Sequence, residues 1–458
     1  MVSRLHELPA AQAARDPGAV DLWWQGQAIS YGTLQDRVER LAARLRAAAK
    51  PGDRVGILAW NCPQFIELIY AASRADLILV PLNARLAAAE LNYQLHHAGV
   101  GLLFADPTLL QAVRAHPDWP PQVVTVSLED QSGAWLAGDA SPDAPGGVGQ
   151  DTAWILYTSG TTGRPKGAVL THASLLAGLR SAALGRPVLE GDRYYYPFPL
   201  FHVAAHNVLL QHQHGAAVVL ARSFEPGQTL RDCRTLDITT LSLAPTMIAM
   251  LLDHPDFDTA ALHSVRTIGY GASHMPADLT RRLLAVSDVG LCQSYGMTEL
   301  SGSVSFLTPE DHRQGCASPE LLRSVGRPLP TAEIRLDRSS STQDDCGEIL
   351  VRSAQCMSGY WNDPTASAAA LQGGWLHTGD VGRFDDNGYL YVVDRKKDMI
   401  ISGGENVASR EVEEVLRQHP SVDDCAVIGL PDARWGETVC AVVVLRGETP
   451  DEALVAHC

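Results

Sequence analysis

Short apolar runs alternate with stretches of helical periodicity from Ser30 to Tyr295, and this alternation restricts the fold more than any other feature of the chain. Leu34, Val38, Leu41 and Leu45 recur at spacings of four, three and four, which puts them on one face of a helix. The apolar run Val55-Gly56-Ile57-Leu58-Ala59 follows as a strand, and a second helix is predicted near Pro63 to Ala75. The strand Leu77-Ile78-Leu79-Val80, another helix and the strand Leu102-Leu103-Phe104 complete the series up to Ala105. Strands separated by helices in this order predict β-α units feeding a largely parallel sheet.

Ser141 to Gly149, rich in Pro, Gly and Asp, reads as a connector. Strands are then predicted at Trp154 to Tyr157, Ala217 to Leu220, Thr239 to Leu243 and Val265 to Ile268, with helical intervals. After Ser324 the pattern shifts to short strands and turns, among them Gly347 to Val351 and the turn Asp385-Asp386-Asn387-Gly388 before Tyr389 to Val393. Beyond the charged break Asp394-Arg395-Lys396-Lys397-Asp398 come a strand, a helix from Glu411 to Gln418, and strands at Ala426 to Ile428 and Val439 to Leu445. The expected architecture is therefore α/β. A large N-terminal domain over residues 1–394 combines parallel-rich sheets, flanking helices and a β-rich subdomain, and a small α+β domain occupies 395–458.

A net charge of -16 leaves no basic stripe for phosphate backbones and argues against nucleic acid as a partner. No apolar run reaches membrane-spanning length and the N-terminus lacks an apolar signal core, so a cytoplasmic protein without a transmembrane segment is expected. The nine cysteines form no CxxC pair, which fits reduced thiols. His206, His212 and His214 have a superficial metal spacing, but no acidic or cysteine partners converge on them in the sequence, and no metal is assigned there.

The densest chemical signal is Tyr157-Thr158-Ser159-Gly160-Thr161-Thr162-Gly163-Arg164-Pro165-Lys166-Gly167, directly after an apolar strand. Glycines let the backbone turn tightly and present N–H groups, hydroxyls add donors, and Lys166 adds positive charge, so the segment suits a polyphosphate. It is not a Walker A loop, because Pro165 precedes Lys166 and Gly167 follows it. Further on stand Gln293-Ser294-Tyr295-Gly296-Met297-Thr298-Glu299, Gly374-Trp375-Leu376-His377-Thr378-Gly379-Asp380 and Arg395 to Val407. Asp380 can accept from both hydroxyls of a ribose, and Arg395, fifteen residues on, can donate to the same sugar.

These motifs, in this order from about Ser30 to the C-terminus, resemble the superfamily of acyl-CoA synthetases, nonribosomal-peptide adenylation domains and luciferases. The resemblance implies ATP-dependent activation of a small-molecule carboxylic acid through an acyl-adenylate, then thioester formation, with ATP, Mg²⁺ and coenzyme A as cofactors. It places Thr158, Ser159, Gly160, Thr161, Thr162, Gly163 and Lys166 on the ATP phosphates. Gly271, Ala272, Ser273, Ser294, Tyr295 and Gly296 fall on the adenine side, Tyr295 as the ring against adenine, with Asp380 and Arg395 on the ribose. Thr298 falls on the α-phosphate and Glu299 on Mg²⁺. His202 becomes a gate beside an acyl pocket with Val203, Ala204, Asn207 and Tyr270, so that Lys166, Thr298, Glu299 and His202 make the catalytic set. Lys397 becomes the hinge of the small domain, and Gly403 and Gly404 line the pantetheine channel.

No carboxylate follows His202 to pair with an α-ammonium, which disfavours amino acids and leaves fatty or aromatic acids. The acceptor is read as CoA, with a carrier-protein phosphopantetheine as the alternative and a non-catalytic nucleotide- or acyl-binding homologue as another. The resemblance also implies a late Gly-Lys motif whose lysine acts in the first step. The sequence reaches Leu454-Val455-Ala456-His457-Cys458 without it, so the small domain is expected to be incomplete or the chain truncated, and this chain to bind ATP yet adenylate poorly.

Overall fold

The computed structural model describes residues 2–128, 151–158, 164–271, 273, 275–339, 345–402, 405–432, 435–447 and 449–458. The chain divides into two compact units, residues 1–332 with 353–368, and residues 333–352 with 369–458. The boundary expected after Asp394 follows motifs, whereas these units follow packing. The connector expected at Ser141 to Gly149 lies outside the described residues.

In the first unit the expected alternation is realised as two sheets. One runs Val124–Ser127, Val100–Ala105, Arg54–Leu58, Ile78–Leu82, Thr152–Thr158 and Lys166–Thr171, parallel throughout except for the last, antiparallel pair. The other has nine strands, with a parallel core of Gly290–Met297, Thr267–Gly271, Thr240–Ser242, Arg193–Tyr196, Ala217–Leu220 and Val20–Trp24. Helix Tyr31–Ala48 begins where the Ser30 side chain accepts from Thr33 N–H, and it buries Leu34, Val38, Leu41 and Leu45. Helix Pro63–Arg74 starts on a proline, whose missing N–H costs nothing in a first turn.

Alternation along the parallel strands decides what each face presents. Tyr195, Leu241, Ile268, Tyr270 and Leu291 join one apolar core with Leu230, Leu251 and Leu283. The opposite face carries Tyr194, Ser242, Gly269 and Cys292, where Cys292 Sγ donates to the carbonyl of Gly185 at the end of helix His172–Gly185. That face is turned to helix His172–Gly185, away from the cluster of Leu230, Leu251 and Leu283.

A polar trio is sealed inside the first unit. His212 and Asp21 are both 0% exposed, with Nε2 2.9 Å from Oδ1, an electrostatic contact short of good hydrogen-bond alignment. The Tyr70 hydroxyl lies 2.6 Å from His212 Nδ1. His206 and His214 turn to the carbonyls of Val203 and Leu210, so the three histidines of helix His206–His214 each have a partner of their own.

Two other buried histidines make stability depend on pH. Burial pushes His172 down to about 3, helped by Arg4 and His6, and burial pushes His312 down to about 4 against the opposing Thr308 carbonyl and Asp311. Both are neutral when folded at pH 6, whereas an unfolded histidine near its ordinary value of 6.5 binds protons there. Stability is therefore full above the unfolded value and falls as pH drops toward the folded ones, by up to about 1.4 kcal/mol per pH unit for each histidine. Thermal midpoints should decline between pH 7 and pH 5, where ordinary carboxylates stay ionised; a flat profile over that window would rule this out.

The second unit is antiparallel. Gly347–Ser353, Trp375–Phe384 and Leu390–Arg395 pair in one sheet, and Glu405–Val407, Ile400–Ser402, Gly436–Leu445 and Val422–Asp432 in another. Helix Ser409–Arg417 covers the second sheet through Leu416, which packs with Ile400, Val422 and Val427. The turn after Phe384 closes as expected, with Gly388 at φ +79° and its N–H on the Asp385 carbonyl.

Candidate active site

The strands on either side of the glycine-rich motif, Thr152–Thr158 and Lys166–Thr171, pair antiparallel. Thr158 ends one strand and pairs with Lys166, which begins the next. Ser159, Gly160, Thr161, Thr162 and Gly163, between them, lie outside the described residues. Gly167 is needed for closeness: a Cβ there would sit 2.7 Å from Ile155 Cγ2. The stretch 358–361 runs beside this strand pair, Val169 N–H donating to the Gly359 carbonyl and Trp361 N–H to that of Gly167.

That stretch delivers Tyr360 to Glu299. The phenol donates to Glu299 Oε1 at 2.9 Å, and Thr158 Oγ1 donates to the same oxygen at 3.4 Å. Lys166 Nζ lies 5.3 Å from the centre of the Tyr360 ring, within cation–π range. Glu299 sits in the short 3-10 helix Thr298–Leu300, 6% exposed, with its carbonyl accepting from Met357 N–H. Burial first, and then the neighbouring carboxylate, hold the Tyr360 hydroxyl well above the usual phenol range. Thr158, Lys166, Thr298 and Glu299 are therefore brought together, and Tyr360 joins them. Nothing in the motif reading pointed to Tyr360, which is 61 residues from Glu299.

Tyr295, Ser294 and Gly296 occupy the last turnover of strand Gly290–Met297, and Gly271 pairs with Ser294 across the sheet. Two glycines there are steric necessities, since a Cβ on Gly296 would lie 2.0 Å from the Gly302 carbonyl oxygen and one on Gly271 2.8 Å from that of Ser294. Ser273 is exposed beyond the strand end, and Ala272 is outside the described residues.

His202, exposed, precedes the 3-10 turn Val203–Ala205 and stacks edge-on against Phe201 at 4.8 Å. Asn207 donates to the Ala204 carbonyl, so His202, Val203, Ala204 and Asn207 form one corner. Tyr270 does not join them. Its ring points to the core face of its strand, where the hydroxyl meets His312 Nε2 at 2.8 Å and Gln293 Oε1 at 3.3 Å. Strand parity is the reason: Gly269 and Gly271, not Tyr270, face the helices.

In the second unit Asp380 and Arg395 are register partners on adjacent strands, with Oδ1 3.7 Å from Nε. Asp380 N–H donates to Thr378 Oγ1, and Gly379 holds φ +74° just before it. Glu348 receives Lys396 Nζ at 2.9 Å, His377 at 3.3 Å and the N–H of Gly379. Burial opposes its ionisation, yet these donors outweigh burial and hold the carboxyl below its ordinary value. Asp337, Glu348 and His377 stand close enough to share a cation, but Lys396 already neutralises Glu348. Lys397 is partly exposed beside Asp398, and Gly403 and Gly404 lie outside the described residues.

The chain resembles known proteins over most of its length. The model of the AMP-binding enzyme family aligns with residues 9–361, and that of the AMP-binding enzyme C-terminal domain with 411–458. The chain is 39% identical over 447 residues to a feruloyl-CoA synthase of Amycolatopsis sp, covering 95% of this chain and 87% of that protein. It is 34% identical to the fatty acid–[acyl-carrier-protein] ligase ScoC of Streptomyces coeruleorubidus, covering 96% and 86%. Among solved structures, the o-succinylbenzoate CoA synthetase of Bacillus subtilis in complex with its acyl-adenylate superposes with a TM-score of 0.87 at 31% identity, covering 98% of this chain and 90% of that one. The same enzyme has been solved with ATP and magnesium ion, at a TM-score of 0.86.

Proposed function

Since the chain belongs to the AMP-binding enzyme family, we propose that the cluster around Glu299 is the phosphate end of an adenylation site in an AMP-forming acid–CoA ligase. The carboxylate of an aromatic or fatty acid attacks the α-phosphorus of ATP, the bond to the β-phosphate oxygen breaks, and acyl-AMP and pyrophosphate result. The CoA thiolate then adds to the acyl carbonyl, AMP leaves, and the thioester forms. The protein's share of this chemistry is alignment and neutralisation of charge.

Glu299 carries the reading. Among the described residues both hydrogen bonds to its side chain fall on Oε1, which fixes the carboxylate and leaves Oε2 as the hard oxygen for Mg²⁺. When bound, Mg²⁺ would draw charge from the phosphate oxygens. Lys166, held over the Tyr360 ring, supplies a positive charge beside the same spot, and Thr298 offers a hydroxyl at the start of the helix that carries Glu299. Tyr295 is read as the adenine-side ring, Asp380 with Arg395 as the ribose pair, and Lys397 as the hinge. His202, Val203, Ala204 and Asn207 are read as part of the acyl pocket.

The test is pyrophosphate release from ATP across a panel of carboxylic acids, with CoA present or absent. Release that depends on the acid, with thioester appearing only when CoA is added, is the expected result. A protein that binds ATP but releases no pyrophosphate with any acid would overturn it. The likeness to a carrier-protein ligase favours one second reading, distinguished by acyl transfer to a holo-carrier protein in preference to free CoA.

A further inference from the structure

Arg186 follows helix His172–Gly185 and lays its guanidinium on the helix-facing side of the parallel strands. Nη1 donates to Ser242 Oγ and Nη2 to the Leu241 carbonyl, both at 2.8 Å, and the group stands 5.2 Å over the Tyr194 ring. It fills the side-chain position of residue 269: a Cβ on Gly269 would lie 2.3 Å from Nη1. A guanidinium has five N–H donors, and no carboxylate pairs with this one among the described residues. On the same face, Gly271 and Ser294 lie two residues further along strands Thr267–Gly271 and Gly290–Met297, so small side chains lead from Arg186 toward Tyr295 and Glu299.

A second polar group serves the same region. His206 is 5% exposed and sits between Ala205 and Asn207, in the segment read as part of the acyl pocket. Its Nδ1 lies 2.9 Å from the Val203 carbonyl, which places the ring proton there and leaves Nε2 an acceptor. Nε2 has no hydrogen-bond partner among the described residues, and it reaches to 3.2 Å from where a Cβ of Gly302 would stand. Burial, with a contribution from the Arg186 charge, keeps the ring neutral. One half-buried donor group and one buried orphan acceptor thus flank a lane of glycine and serine, and a buried acceptor left unpaired is costly.

We propose that Arg186 and His206 form the distal end of the acyl pocket and select an acid that carries a hydroxyl at the end remote from its reacting carboxylate; this rests on the carboxylate-activating reading above. A hydroxyl oxygen accepts from the guanidinium, and its O–H donates a hydrogen bond to His206 Nε2. A second carboxylate would satisfy Arg186 but face the imidazole lone pair. A bare ring or alkyl end leaves both groups unmet.

The experiment compares cinnamate, 4-hydroxycinnamate and 4-carboxycinnamate as probes, by acid-dependent pyrophosphate release and by calorimetric binding, on the wild-type chain and on Arg186→Met and His206→Leu. The wild type should favour the 4-hydroxy acid over cinnamate by about tenfold or more in kcat/KM and affinity. Arg186→Met should bring that ratio close to one while keeping cinnamate within about threefold of wild type. Equal handling of cinnamate and 4-hydroxycinnamate by the wild type, a preference for the dicarboxylate, or an equal loss for all acids in Arg186→Met with ATP affinity intact would each overturn the inference and spare the ligase reading. Failure of every acid, bound or turned over, would overturn both. Should a variant fail to fold, the wild-type ranking decides alone.

Discussion

Glu299→Gln should lower acid-dependent pyrophosphate release by about a thousandfold, with a loss of Mg²⁺ dependence and little change in thermal midpoint. The substitution is chosen for its geometry. Glutamine keeps an oxygen at Oε1 to accept from Tyr360 and Thr158, and it replaces the opposite oxygen with an amide that cannot bind a cation. The local fold therefore survives while the charge disappears. Tyr360→Phe is the companion. It removes the 2.9 Å hydrogen bond and frees the carboxylate to turn, so it should cost about tenfold to a hundredfold in kcat with ATP affinity nearly unchanged. If Glu299→Gln turns over like wild type at low Mg²⁺, the carboxylate is only a structural strap for the segment around Met357 and Tyr360.

The largest expected effect on stability comes from a site remote from the motifs. Asp21→Ala should destabilise the first unit by about 3–5 kcal/mol, because it leaves His212, 0% exposed, beside an empty position. Tyr70 stays on the other ring nitrogen and cannot compensate, since its hydroxyl is already committed there. Asp21→Asn preserves shape and a polar contact and should cost less. Denaturant midpoints for the two variants check this; a loss below about 1 kcal/mol for the alanine variant would show that the trio contributes little.

Much of the fold was legible because its determinants are local. Leu34, Val38, Leu41 and Leu45 announce a helix by spacing alone, and Pro63 marks the start of the next. The motif residues Thr158, Lys166, Thr298 and Glu299 converge as their order suggested. Tyr270 shows where sequence reasoning fails. Its neighbours Gly269 and Gly271 take the opposite face of the strand, and which face a residue takes depends on strand parity, which a motif does not encode. Tyr360, Arg186 and His206 were illegible for a different reason. Tyr360 and Arg186 meet partners tens of residues away, Glu299 and Ser242, and the burial of His206 Nε2 is set by packing that no local pattern encodes.

The chain leaves the first unit after Ala332, builds part of the second over residues 333–352, and returns over 353–368. During synthesis this imposes an order on the emerging polypeptide. Every strand of the two large sheets has been translated by Pro328, yet the phenol that orients Glu299 comes 32 residues later, after the excursion through 333–352. A nascent chain paused at Ala332 would hold both sheets and the strand pair flanking the glycine-rich motif with its key carboxylate unanchored. The ability to grip ATP productively is thus among the last properties the growing first unit acquires, and it arrives only after the strand that ends at Ser353 has been translated.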